Sequence, residues 1–521
     1  MKNADIVSVL FKNPTATNRT CCVCGAVVAQ LMHAGYKNLI SHLQCHHHGY
    51  KEAASTCIKN ACAPTASMFA LKDAANTCGW TKLVALKNFP FAHVDDPVIR
   101  DAIRFKPMDK RMLLKRMVSL VGVVDIKVAE ELAGEKFVLV FDGFTDAAEH
   151  AIAIFAATKK GIRYLAFSPF QDEASQTASE HIAFLDLVLD DYGLDVANMI
   201  AIVTDNMETN KAIARRIKVP MIGCAAHRFN LAVRQWIEPH MPLIKKLHEL
   251  RWSGCYRMLK RFEDLQRFLH LFVDDCDIER EEVEDGEANE VSSSDSNTGL
   301  RRIPMVDLIP SAGEQRKIAE LLDEMTAFNV ITTRFQRQDM TITTVRDMFD
   351  VVMEGHEGLD GYLGVNGQIV EFPDFEAGVV KVQSGSEKTL LAAERKAVSH
   401  LLCLQHSIAH EPIDAPRVAR SKRKRAAQAL DNALSKKARQ RTTKASKYEE
   451  TGWIPATSVV AERFFSMVKS SVGYLRKSMS ASTLETVMFL KLNWDLVTLG
   501  SVSAAIERSN DAEYVVYSDD E

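Results

Sequence analysis

The stretch that decides the fold is residues 137–158, "FVLVFDGFTDAAEHAIAIFAAT". An apolar run ends on Asp142, the pair Asp142-Gly143 has turn chemistry, and a second apolar run follows. Working outward, the same pattern predicts strands at 137–142, 151–157, 163–168, 199–204 and 221–224. Helices are predicted near 179–192, 207–216 and 227–250. Short turns at Asp142-Gly143 and Gly161 suit an antiparallel meander of three strands. The helical connections after it suit parallel neighbours.

The chain of 521 residues exceeds what one core supports, so several domains are expected. Its net charge of −4 averages over two opposed blocks. Residues 274–290 carry ten acids against one arginine, and residues 417–447 carry twelve Lys or Arg against one Asp. Both surrounding tracts, 274–298 and 417–447, are expected to be disordered, since neither offers much apolar surface to bury. No apolar run approaches the roughly 20 residues of a membrane span. The N-terminal residues "MKNADIVSVLFKNP" lack the core of a signal peptide, so the eleven cysteines are expected to be intracellular thiols or metal ligands. "RSKRKR" at 420–425 suits nuclear import or a solvated basic loop.

Near the N-terminus, Cys21-x-x-Cys24 is followed by His42 and then by His46, His47 and His48. Zinc takes four tetrahedral N or S ligands, and a CxxC turn plus two imidazoles one helical turn apart supply them. The expected set is Cys21, Cys24, His42 and His47, with His46 the alternative fourth ligand. Cys57 and Cys62 are possible substitutes. Over residues 8–50 this segment resembles the BED-type zinc finger, a DNA-binding family, and Phe11 fits the aromatic ahead of the first cysteine. The segment is poor in the Lys and Arg that usually contact phosphate.

The strand order resembles the ribonuclease H arrangement, in which the first and fourth strands are neighbours. Asp142 and Asp205 would then converge and hold Mg²⁺ or Mn²⁺. The plainer readings are that Asp142 makes a turn and that Asp205 caps the helix after it. A third acid, Glu462, lies on an apolar helix beside Val459, Phe464, Phe465 and Met467. It is expected to be buried there and to need a partner. That partner would be a metal or Arg463 or Arg476, unless Glu462 lies exposed in the first helical turn. The segment 483–496, "TLETVMFLKLNWDL", is apolar on nearly every face and is expected to be buried against a partner.

Together these pieces resemble the hAT family of DNA transposases. "FDGFTD" and "TDNMETN" are similar to its catalytic strands, "CAAHRFNLAV" and "LRWSGCYRMLKR" to its C-x-x-H and R-W blocks. Ser458, Glu462, Arg463, Phe465, Ser466, Arg476-Lys477 and "FLKLN" resemble its C-terminal dimerisation region. The resemblance implies an α/β fold, a ribonuclease H-like mixed sheet interrupted by an all-α insertion. A zinc finger (1–65), a helical linker (66–130) and the first part of the core (131–252) lead into the insertion (253–455). The core end with the dimerisation region (456–508) and a disordered tail (509–521) follow. It also implies a DDE triad of Asp142, Asp205 and Glu462, Trp252 stacked on a flipped base, Arg251 beside phosphate, and Cys224 and His227 near the scissile strand. The implied partners are double-stranded DNA at transposon ends and a second copy of the chain, in the nucleus and off the membrane. A relative that binds DNA without cutting it, and a ribonuclease acting on RNA–DNA hybrids, are the competing expectations.

Overall fold

The computed structural model describes residues 2–15, 17–30, 35–47, 50–60, 62–64, 72–103, 105–146, 149–170, 178–245, 252–267, 277–280, 301–304, 310–337, 339–403, 422–439, 446–472 and 479–510. Arg251, Arg476, Lys477, most of the 274–298 tract and nearly all of the tail lie outside them. The chain is a mixed α/β protein in two compact units. Unit 1 comprises Met1–Phe137, Phe141–Met199 and Ala461–Glu521; unit 2 comprises Val138–Val140 and Ile200–Val460. No helix among the described residues is long and apolar enough to cross a membrane.

Unit 1 begins with the helix Asn3–Leu10 and a small antiparallel sheet of β1 (Phe11–Lys12), β2 (Asn18–Cys21) and β3 (Val27–Ala29). Helices Lys37–His46 and Tyr50–Asn60 follow. Apolar residues at helical spacing, Ile6 with Leu10 and Leu39 with Leu43, close a core around Phe11 and Cys21. Further along, Asp109 caps the helix Lys110–Leu132 by accepting from the N–H groups of Arg111 and Met112. Leu113, Met117, Leu120, Val124, Val128 and Leu132 form its buried stripe.

Three long strands come next: β4 (Phe137–Asp146), β5 (Glu149–Thr158) and β6 (Gly161–Phe170). β5 and β6 pair antiparallel from Thr158↔Gly161 to His150↔Phe170, with a register shift at Ile154/Phe155. Gly161 has φ +139°, a conformation that suits the turn residue being glycine. β4 is longer than the sequence predicts. Asp142-Gly143 continues the strand, and a Cβ on Gly143 would meet the Ala151 carbonyl of β5 at 3.9 Å. A glycine inside a strand weakens it without ending it.

The C-terminal helices Val459–Val472, Ala481–Leu492 and Leu499–Asn510 complete unit 1, the first beginning in the last residues of unit 2. Phe464 is stacked on Tyr164 of β6, with ring centroids 5.2 Å apart. The Asn493 amide donates to the Tyr164 carbonyl at 3.0 Å, and Lys127 donates to the Leu496 carbonyl at 3.1 Å. Val487, Met488 and Leu490 are fully buried in the single chain. The all-apolar segment expected to need a partner is therefore covered by its own chain.

In unit 2, β7 (Met199–Thr204, from Ile200) and β8 (Met221–Gly223) are parallel, in register Ile202↔Met221 to Thr204↔Gly223. The helix Glu208–Ile217 is the crossover. The strand order of the sheet is β6-β5-β4-β7-β8. The helix expected over 227–250 runs from Ala225 to Ile237, is interrupted by a 3-10 turn, Glu238–His240, at Pro239, and resumes over Met241–Lys245, with 246–250 outside the described residues. Helices Trp252–Leu265, Ala312–Phe335, Ile342–Gly355 and Pro373–Gln383 follow.

Both tracts expected to be disordered contain structure. β9 (Asp277–Arg280) pairs with β10 (Arg301–Pro304), and Lys422–Arg439 is a helix. That helix buries Leu430, and Asp431 pairs with Arg334. Counting charge hid the Ala427, Leu430, Leu434 spacing, which is an amphipathic stripe.

Candidate metal centre and carboxylate positions

The CxxC turn is built by the backbone. The Cys21 N–H donates to the Ala26 carbonyl at 2.9 Å and the Gly25 N–H to the Cys21 carbonyl at 3.0 Å. Gly25 has φ +75°, which the reversal between Cys24 and β3 requires and which a side chain would strain. His42 projects from the helix Lys37–His46, and His47 closes that helix with its N–H on the Leu43 carbonyl.

These elements bring the four side chains together. Cys21 Sγ lies 3.4 Å from His47 Nε2, Cys24 Sγ lies 3.4 Å from His42 Nε2, and all four ligand atoms lie within 4.8 Å of one another. Tetrahedral zinc with ordinary Zn–S and Zn–N bonds places S and N about 3.5 Å apart. The quartet can therefore hold a metal ion such as zinc. Four protein ligands leave no open position, which is the pattern of a structural site.

Burial grades across the quartet: Cys21 and His47 are buried, His42 is half-buried and Cys24 is exposed. Burial pushes the Cys21 thiol up, so without metal it keeps its proton. Burial, then the imidazoles of His42 and His46, lower His47 to about 4 and hold it in the neutral form that ligates metal. His46 is exposed, with its ring centroid 5.0 Å from that of His42, and is outside the quartet. Cys57 and Cys62 are also outside it.

The carboxylates are placed as follows. Asp142 lies inside β4, half-buried, and accepts the Gly143 N–H at 3.0 Å. Asp205 follows β7 directly. Its Oδ1 accepts the Met207 N–H at 3.1 Å and the Asn210 amide at 2.6 Å. The same Asn210 nitrogen donates to Thr204 Oγ1 at 3.0 Å. Asn210 was legible only as a polar residue in the next helix, although its spacing of five from Asp205 lets it fold back over the helix start.

Glu462 takes the second of the two placements open to it. It lies in the first turn of the helix Val459–Val472 with an exposed side chain, while Ala461, Phe464 and Phe465 are buried. Crowding by neighbouring atoms still desolvates its carboxyl enough to raise it. Asp142 and Glu462 belong to unit 1 and Asp205 to unit 2. Among the described residues, the Cys/His quartet is the one group of three or more His, Cys, Asp and Glu side chains within reach of a single ion.

Cys224 is buried after β8, where its sulfur accepts the Ser458 N–H at 3.3 Å. Its own N–H donates to the Thr204 carbonyl at 2.7 Å, so it fastens backbone segments of unit 2. His227 is half-buried in the first turn of Ala225–Ile237. Trp252 opens the helix Trp252–Leu265. Sequence reading passes over Arg228, whose buried guanidinium donates to the Tyr362 and Gly364 carbonyls and pairs with Glu376 at 2.8 Å. No protein-family model matches the sequence, and no curated protein matches it.

Proposed function

We propose that the chain is a nuclear, dimeric, hAT-like DNA transposase with a ribonuclease H-like core, whose N-terminal quartet binds zinc in a BED-type finger. What supports the reading is the strand order β6-β5-β4-β7-β8, with Asp142 on β4 and Asp205 directly after β7. The quoted motifs supply the rest. Divalent ions bound by Asp142, Asp205 and Glu462 would offset the negative charge of a phosphodiester under attack. The chain's own part is positional. The Met207 N–H and the Asn210 amide both hold Asp205 through Oδ1. Trp252 would stack on an unpaired base, and Arg251 would meet phosphate. Cys224 and His227 would brace the scissile strand.

One observation favours a second reading, a dimeric zinc-finger DNA-binding protein that cuts nothing. Only the Cys/His quartet, among the described residues, gathers ligands for one ion. Strand cleavage on duplexes taken from the gene's genomic flanks, with Mg²⁺ or Mn²⁺, separates the two. Metal-dependent nicking by the wild type that Asp142→Ala abolishes supports the transposase. Binding without nicking supports the second reading, and neither binding nor nicking overturns both.

A further inference from the structure

The quartet leaves four cysteines of the same N-terminal piece unused, and two of them, Cys57 and Cys62, meet at one helix end. Cys57 lies in the last turns of the helix Tyr50–Asn60, and Cys62 lies just beyond its end. The Cys62 N–H donates to the Cys57 carbonyl at 3.2 Å. A hydrogen bond reaching back five residues draws the chain beyond a helix end back over the last turn. Here both residues are cysteines, five positions apart and joined across that backbone bond. A disulfide spans Cα atoms about 4.4–6.8 Å apart, a separation that a turn closed by such a backbone bond can supply. Cys57 is buried and Cys62 half-buried. The less buried Cys62 is therefore the more accessible first nucleophile.

We propose that Cys57 and Cys62 are a reversible redox pair, which closes to an intramolecular disulfide by exchange with a low-molecular-weight disulfide such as oxidised glutathione. Cys62 gives its proton to solvent and its thiolate attacks one sulfur of the glutathione disulfide. That S–S bond breaks, and one glutathione leaves and takes up a proton. Cys57 loses its proton and attacks the Cys62 sulfur of the mixed disulfide, forming the Cys57–Cys62 bond and expelling the second glutathione. Two electrons pass from the pair to glutathione, and no other reactant enters. The helix carrying Cys57 contributes Tyr50, Ala53 and Ala54 to the core that buries Cys21. Closing the pair therefore pins one wall of the metal centre without drawing on its ligands.

The test equilibrates the full-length, zinc-loaded chain in glutathione buffers of rising oxidised share, blocks remaining thiols in acid, and maps peptides by mass spectrometry. A Cys57–Cys62 linked peptide, two hydrogens lighter than its reduced counterpart and reopened by dithiothreitol, is expected while zinc stays bound. In Cys57→Ala, Cys62 should stop at the glutathione mixed disulfide. Absence of the linked peptide at every ratio would overturn the proposal, as would a link to exposed Cys45 instead. A link formed only after zinc is lost would overturn it too, since the pair would then belong to an unfolded segment. So would a Cys57→Ala chain whose Cys62 takes up no glutathione.

Discussion

Replacing Phe464 by alanine tests whether the C-terminal helices belong to the fold of their own chain. Phe464 is fully buried, its ring centroid 5.1 Å from Phe167, 5.2 Å from Tyr164, 5.5 Å from Phe465 and 6.0 Å from Phe155. Truncating such a side chain removes its transfer free energy and leaves a cavity, costing about 3–5 kcal/mol. At about 1.36 kcal/mol per decade, amides that exchange only when unit 1 opens should lose roughly two to four orders of magnitude in protection. Hydrogen–deuterium exchange of β5 and β6 peptides reads this directly, at two protein concentrations tenfold apart. The loss should be the same at both. Glu462→Gln, two residues away and exposed, should change stability by no more than about 0.5 kcal/mol. If Phe464→Ala instead leaves β5 and β6 protected while a dimer dissociates in sedimentation, the ring packs against a second chain and not on its own sheet. By the same logic, truncation at residue 455 removes Phe464, Phe489 and Asn493 from unit 1. It is expected to unfold that unit rather than release folded monomers.

Other outcomes follow from single contacts. Purified protein should hold about one zinc ion per chain, and Cys24→Ser should lose it; elemental analysis showing metal unchanged in the variant contradicts the quartet. Glu376→Ala leaves the Arg228 guanidinium buried without its carboxylate, so unit 2 should lose about 3–5 kcal/mol in chemical denaturation. A loss below about 1 kcal/mol would mean the pair is solvated. The Asp125 carboxyl is raised mainly by desolvation, against the lowering effect of the Tyr192 hydroxyl that donates to it. The folded state therefore binds this proton more tightly than the unfolded state, and its contribution to unit 1 falls as pH rises from the ordinary carboxylate value through the raised one. Asp125→Asn keeps an acceptor for Tyr192 and should flatten that slope; denaturation midpoints that keep the wild-type pH dependence would remove Asp125 from the account.

Legibility tracked how far each signal was local. β7 could be placed at 199–204 because an unbroken apolar run bounded by turn residues has few alternatives. β4 outran its expected end because turn propensity at Asp142-Gly143 yields to pairing with a long neighbour, which no window of sequence contains. The quartet was readable because CxxC and two histidines a helical turn apart encode their own geometry, while spacing alone fitted both His46 and His47. Of the two placements open for Glu462 the exposed one holds; apolar neighbours in sequence do not say which helix face a residue occupies. Phe464 and Phe465 take the buried face and leave Glu462 outside. The Cys57–Cys62 contact depends on a backbone bond at a helix end, and the two thiols looked like spare ligands without it.

The arrangement of unit 1 along the chain has a consequence for synthesis. The aromatic face of β5 and β6 is complete when Phe167 has been made, but Phe464, which covers it, lies about 300 residues later. At roughly 5–20 residues per second on the ribosome, Phe155, Tyr164 and Phe167 wait on the order of 15–60 s for their lid. During that interval an apolar surface and a freshly made hairpin stand open while the whole of unit 2 is translated. A holdase chaperone that covers this face on the nascent chain should therefore raise the yield of folded protein.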